Sequence, residues 1–597
     1  MSLEDELQRR GLTSWLADDG SWMAFEAGTE VSAEKATVVT VESLQSALAG
    51  LEGVRVVSAV INASGDFDPP QPPSEMLPPG VDLLSIRGVP AFWDVRVSKH
   101  GTDGHVTDFY IWVPLAWNRR FLATVGGGSM TGPLWADEVT LRNATMSHAL
   151  RNGFATAATD GANKEAATDS NRLFDWPLDS ASGALDRELI RNWNHLSTHE
   201  MTVVAKRIIS AIHGREPEFS YLAGGSGGGR QAIASAIRWP TDFDGVWAAD
   251  PAVNWTRIVP AGLWPALIMK HHQNPVAAAK LDAVREAVIE ACDGIDGLRD
   301  GFLGALDPID FDLASMVGVQ TSAGPITQRD VEVVGLIWDG PRRRDGRRLW
   351  YGLRPGVASW GPLELCHTTE IDGTLRAVPW PLGLAHLQWV SRDRQLDWDS
   401  LTLETYESLF DEGVRDLAAI ATDDPDLTSF MDAGAKLLLT QAGEDQALPM
   451  DGCLDYYERI VETMGGLDQT MTFARLFVAD GDSHTFCTGH GPGVSLAEGM
   501  SALMRWVESG ETPTELVAER YDTASGRIDA TRPVYPYPQV TRYSGVGDPS
   551  LASSYHAADR QLTVAGSAVA GSMWSQDKAE RDEPSTLPGR ATSTVDA

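Results

Sequence analysis

Apolar positions along the middle of the chain follow two alternating rhythms. Short β-rich runs end in Gly or Asp, and stretches with helical spacing follow them. The run 120–125 (RFLATV) leads into Gly126, Gly127 and Gly128, and 153–160 (GFATAATD) ends on an acid. The segment 199–214 (HEMTVVAKRIISAIHG) has helical apolar spacing and a glycine stop. Next, 219–224 (FSYLAG) predicts a strand and 230–240 (RQAIASAIRWP) the helix after it. Late in the chain, 435–443 (AKLLLTQAG) and 471–481 (MTFARLFVADG) predict two more strands, and 496–510 a helix. Strands alternating with helices imply an α/β fold: a parallel-type central sheet covered on both faces.

The rhythm breaks between about 256 and 430. That stretch is rich in Trp, Pro and charged residues, including GPRRRDGRRLW and RAVPWPLGLAHLQWV. It reads as an inserted second domain. The expected organisation is core at 1–255, insertion at 256–430, core again at 431–557, and an irregular Ser-, Ala- and Thr-rich tail at 558–597.

Composition narrows the functional classes. The 597 residues carry 83 acids against 48 Lys and Arg, a formal charge of −35, with 43% apolar residues. Such a mix suits a globular protein and disfavours a nucleic-acid partner, which needs clustered cations. No run of about 18 apolar residues predicts a membrane span. The first thirty residues lack the pattern of a secretory signal, so a cytoplasmic protein is expected. Four cysteines, Cys292, Cys366, Cys453 and Cys487, are few for a disulfide scaffold of this size.

The chemistry starts at Gly224-Gly225-Ser226-Gly227-Gly228, a G-x-S-x-G between a predicted strand and a predicted helix. A sharp turn there lifts a serine above the sheet, and tiny neighbours let strand and helix approach. Backbone N–H groups at the helix start can stabilise an oxyanion. A Walker phosphate loop would need a Gly-Lys pair, and lysine is absent. A serine also needs a base and an acid, placed later in the chain in the order acid, then His. Glu444 and Asp445 follow one late strand; Asp482, Ser483 and His484 follow the next. The span from Ser226 to Asp445 far exceeds what two strand–helix units require, which places the insertion above the catalytic end as a lid.

These segments resemble the tannase and feruloyl esterase family, which includes the hydrolase of mono-hydroxyethyl terephthalate. GGSGGGRQ with RWPTDFDGVWAADPAVNW is similar to the family's nucleophile segment. LAWNRRFLATVGGGSMTG is similar to its oxyanion loop, GEDQALP to its acid loop, GDSHTFCTGHGPG to its histidine loop and YPYPQVTRYSGVGDP to its C-terminal signature. The resemblance implies an α/β-hydrolase fold with Ser226 as nucleophile, His484 as base and Asp445 as the orienting acid. It implies an oxyanion hole from the N–H of Gly227 and one from Gly127 or Gly128. The expected reaction is hydrolysis of small-molecule esters, with aromatic acyl groups such as feruloyl or galloyl. Trp380, Trp389 and Trp398 are candidates to line the pocket.

The chain departs from the family at three positions, one of them Tyr535, which stands where the C-terminal signature has a cysteine. Gly225 and Thr485 stand where the family usually has a disulfide pair beside the serine and the histidine, which fits a reducing compartment. A replacement bridge from Cys487 to Cys453 stays open. In the insertion, CDGIDGLRDGF sets Asp293, Asp296 and Asp300 among glycines. Three close carboxylates repel unless a cation joins them, and hard oxygen ligands suit calcium. The carbonyls of Leu298 and Phe302 would complete the shell, as in the family's structural calcium site. Two rivals remain at this point: an acyltransferase or thioesterase on the same residues, and a non-catalytic calcium-binding scaffold.

Overall fold

The structure is a computed structural model. It describes residues 39–69, 85–102, 104–129, 131–132, 145–163, 174–179, 182–358, 365–484, 489–522 and 527–560. Most of the expected tail, from 561 on, lies outside the described residues, as do Thr485 and Cys487.

A nine-stranded sheet organises the core. Its strands are β1 (Val54–Asn62), β2 (Phe92–His100), β3 (Val106–Pro114), β4 (Arg120–Thr124), β5 (Ala155–Thr159), β6 (Phe219–Gly225), β7 (Gly245–Ala249), β8 (Lys436–Ala442) and β9 (Ala474–Ala479). The spatial order is β1-β2-β3-β5-β4-β6-β7-β8-β9. From β5 to β9 every neighbouring pair is parallel. The first three strands add an antiparallel edge that the alternation of strands and helices did not predict.

The continuous apolar runs have a simple cause: both faces of the parallel strands are buried. In β4, Phe121 and Ala123 face a cluster containing Met201, Val204 and Ile208 of helix α1 (Ser197–His213). Leu122 between them faces the opposite cluster, with Met500 and Leu503 of a later helix (Leu496–Ser509). β8 repeats this division, with Leu437 and Leu439 on the first side and Leu438 on the other. Truncating one such leucine to alanine costs about 2–5 kcal/mol. α1 ends at Gly214 (φ 71°), a left-handed cap that releases the chain towards β6.

The chain leaves the sheet after β7 and returns at β8. The excursion begins with helix α3 (Trp255–Ala261), which follows helix α2 (Gly227–Arg238) and strand β7. It continues with α4 (Ala278–Cys292) and further helices. These elements share their own apolar cluster, including Val288, Ile337, Trp350, Leu387 and Phe410. Trp176 and Trp193 join that cluster from earlier in the chain, and Ala447 and Leu448 from the loop after β8. The insertion therefore packs directly against the loop that carries Asp445. Among the described residues no helix is long and apolar enough to cross a membrane.

Candidate active site

Ser226 sits between β6 and α2 with φ 58° and ψ −122°. A non-glycine residue held there is strained by roughly 1–3 kcal/mol, so the surroundings must enforce it. They do so through backbone bonds. The Ser226 N–H donates to Ala249 O (2.8 Å), and its carbonyl accepts from Arg230 N and Ala252 N, both at 3.1 Å. The flanking glycines are sterically required. A Cβ on Gly224 would lie 2.7 Å from the Gly228 carbonyl, and one on Gly228 would lie 2.8 Å from Val125 O. One on Gly227 would lie 2.3 Å from Gly128 O. Gly227 and the Gly127–Gly128 backbone are thus in close apposition, the arrangement an oxyanion site built from both would need. Gln231 steadies that loop by donating to Gly126 O (3.1 Å).

The loops after β8 and β9 bring the other two groups to the serine. His484 Nε2 lies 3.0 Å from Ser226 Oγ, and His484 Nδ1 lies 2.9 Å from Asp445 Oδ2. The Asp445 carboxylate is completely buried. Its Oδ1 accepts the N–H groups of Ala447 (2.9 Å) and Leu448 (2.7 Å), and Gln441 Nε2 lies 3.4 Å from Oδ2. Donors of this kind stabilise an ionised carboxylate. Such a chain can move a proton from a hydroxyl to an imidazole and stabilise the resulting cation.

Hydrogen bonds join the acid and histidine loops. Glu444 N donates to Asp482 O (2.8 Å), and His484 N donates to Gln446 Oε1 (3.0 Å). The Glu444 carboxylate meets His490 Nδ1 at 3.0 Å and Arg285 of α4 at 3.3 Å. One buried acid thereby ties the acid loop, the histidine loop and the insertion. Cys453 and Cys292 are free, buried thiols, so the open Cys453 bridge is not formed. Burial and the nearby Asp250 and Asp445 push the Cys453 thiol up.

Beneath the serine, Arg230 is fully buried and donates to Asn194 Oδ1. Its guanidinium lies 3.9 Å from the Trp193 ring centre and 5.3 Å from that of Trp255, so it links α2 to the start of the insertion. Burial pushes it down to about 9. Each tryptophan expected at a pocket makes contacts within the protein. Trp389 is buried against Trp176 and Trp193, and the Trp398 ring carries Lys270 over its face at 4.5 Å. Trp380 packs beside Gly262.

The aspartates of the insertion lie on one tight loop. Gly294, Gly297 and Gly301 have φ of 115°, 98° and 92°, values that suit glycine. Asp293 accepts the Gly301 N–H (2.9 Å) and Asp296 the Leu298 N–H (3.0 Å). Desolvation raises Asp296 and pushes Asp300 up to about 6. Arg532 pairs with Asp300 and lies 3.6 Å from Asp296. Asp300 Oδ1 is buried without a hydrogen-bond partner. One guanidinium against three carboxylates leaves room for a divalent charge, and the hard oxygens fit calcium in chemical type. Their oxygens are not gathered as tightly as a closed shell. Among the described residues, the one set of three acid or histidine groups within 4.8 Å of one another is Asp250, Asp445 and His484.

Sequence reasoning did not find Asp250, Gln446, Arg285, His490 or Arg532. Asp250 had one signal, an acid directly ending a strand beside the serine strand. The others depend on contacts between distant segments.

The fold resembles solved α/β-hydrolase enzymes. Over 87% of this chain and 95% of the other, it superposes on a tannin acyl hydrolase from Aspergillus niger with a TM-score of 0.72 at 20% identity. Against feruloyl esterase B from Aspergillus oryzae the TM-score is 0.70 at 22% identity, covering 87% and 99% of the two chains. The tannase and feruloyl esterase family profile matches residues 95–558, and the chain belongs to that family. A probable feruloyl esterase from Arthroderma benhamiae is 30% identical over 82% of this chain and 88% of its own length. The mono(2-hydroxyethyl) terephthalate hydrolase of Piscinibacter sakaiensis is 26% identical over 75% and 81%. The protein is a carboxylic ester hydrolase acting on small-molecule esters.

Proposed function

We propose that the protein is a serine esterase that cleaves esters of aromatic acids through an acyl-enzyme. The observation that carries this reading is the hydrogen-bonded line from Ser226 Oγ through His484 to Asp445. Ser226 Oγ attacks the ester carbonyl while His484 Nε2 takes its proton. Asp445 faces the imidazolium that results. The oxyanion meets the N–H of Gly227 and one from Gly127 or Gly128. The imidazolium then protonates the departing alcohol, and His484 activates the water that releases the acid.

The aromatic acyl class is supported by the relatives, named for feruloyl and terephthalate esters. In the insertion, Asp293, Asp296 and Asp300 with the carbonyls of Leu298 and Phe302 would hold a calcium ion. Its contribution would be structural, ordering the loop as a lid element. Gly225 and Thr485 at the family's cysteine positions support a working compartment where thiols stay reduced.

The test is a hydrolysis screen over matched methyl esters of feruloyl, galloyl and straight-chain acids, with mass detection of both products. Higher kcat/KM on the aromatic esters, abolished in Ser226→Ala, is expected. Faster turnover of alkyl acids would remove the aromatic assignment, and full activity in Ser226→Ala would remove the nucleophile.

A further inference from the structure

The strand beside the serine strand also ends in an acid, and the scheme above leaves it unused. β7 stops at Ala249, and Asp250 follows with φ 41° and no exposure. Its N–H donates to Thr440 O (2.8 Å), and its Oδ1 accepts the Ala442 N–H at 2.6 Å. Both contacts reach β8, the strand that delivers Asp445. Because β7 lies between β6 and β8, an acid at its end sits between the serine strand and the acid strand. Accordingly, an Asp250 oxygen, an Asp445 oxygen and a His484 ring nitrogen lie within 4.8 Å of one another.

Two buried carboxylates at this spacing repel, and a cation facing both relieves the repulsion. His484 becomes that cation when it takes the serine proton. Among the described residues, His484 from the loop after β9 and Cys453 from the helix after β8 are titratable groups that face the pair. The thiol stays neutral, being raised by burial, Asp250 and Asp445. Asp445 holds two backbone N–H donors and Gln441, and Asp250 accepts the Ala442 N–H. Asp445 is the acid hydrogen-bonded to His484 Nδ1, and Asp250 is the second acid beside it.

We propose that Asp250 is a second acid for His484, a positioning residue that shares the imidazolium charge with Asp445 and takes over part of its role when Asp445 is lost. The proposal rests on the Ser226–His484–Asp445 reading. A plain strand-end clamp would also accept the Ala442 N–H, but an amide oxygen does that as well, and asparagine tolerates positive φ. The functional claim therefore concerns charge.

The test compares kcat/KM against pH, together with thermal unfolding, for wild type, Ser226→Ala, Asp250→Asn, Asp445→Ala and the Asp250→Asn/Asp445→Ala pair. Losing a nearby negative charge destabilises imidazolium. The acid limb of Asp250→Asn should therefore move to lower pH by about half a unit or more, with rates down about 3–10-fold at neutral pH. The double variant should be at least about 10-fold slower than Asp445→Ala. An unmoved acid limb, or a double variant no slower than Asp445→Ala, overturns the proposal. If Asp250→Asn unfolds, Asp250→Ser keeps an acceptor without charge and is read by the same criteria. Activity surviving in Ser226→Ala would instead defeat the underlying serine reading. A dead Ser226→Ala beside a silent Asp250→Asn would defeat this inference alone.

Discussion

Two acidic loops of this enzyme organise their carboxylates in opposite ways. The loop after β8 surrounds Asp445 with N–H donors and a histidine, and the acid is completely buried yet fully partnered. The loop at 293–302 crowds three aspartates together, two of them facing the Arg532 guanidinium, and an oxygen of Asp300 is left without a partner. Donors aimed at a carboxylate fix its position opposite the histidine. Crowding without enough donors makes the ionised state costly and creates demand for a cation from outside. On the reading proposed above, the first loop would serve a proton relay and the second would take a metal.

This contrast can be broken by experiment. The largest effect belongs to the serine: Ser226→Ala should lower kcat by about 10⁴–10⁶-fold in steady-state assays with the melting temperature unchanged. His484→Ala and Asp445→Ala should each lose about 10³–10⁴-fold, and combining either with Ser226→Ala should add nothing further. Gly227→Ala drives a Cβ into the Gly128 carbonyl, so kcat should fall about 10²–10³-fold while KM changes little.

The aspartate loop should answer to a different readout. Chelation should lower the melting temperature by several degrees, restored by calcium and absent in Asp300→Asn, as scanning calorimetry would show. Its pH dependence has a definite sign. Desolvation raises Asp300 to about 6 in the fold, so below that pH the proton already relieves the repulsion. The penalty of the ionised group grows as pH rises through about 6, and calcium offsets it there. Calcium should therefore stabilise strongly at about pH 7.5 and weakly at about pH 5. The smallest effect concerns the loop clasp. Glu444→Gln should cost roughly tenfold or less in kcat, and added thiol reductant should change neither rate nor melting temperature.

What the sequence revealed follows from the range of the interactions. β6, α2, β8 and β9 were legible because strands buried on both faces give unbroken apolar runs, and the serine turn requires glycine at fixed offsets. Ser226, Asp445 and His484 each follow such a strand, so topology alone placed them as candidates. The antiparallel edge was missed because β2 alternates Val95 and Val97 with Arg96 and Ser98, a weak apolar signal. Asp250 was one acid among 83 until the strand order set it beside Asp445. Arg532, the countercharge to the aspartate loop, lies 232 residues from Asp300, and Arg285 meets Glu444 across 159. No local pattern announces such pairings. Among the tryptophans of the insertion, Trp389 is core, since a large aromatic is needed by a core as much as by a pocket.

The central claim is that one serine, activated by the partnered acid loop, carries the reaction. Intact-mass analysis after treatment with a fluorophosphonate, followed by peptide mapping, tests it most directly. The account predicts a single adduct on Ser226, formed in step with loss of esterase activity and absent in Ser226→Ala. An unlabelled, fully inhibited enzyme, or an adduct on another residue that abolishes activity, would contradict it.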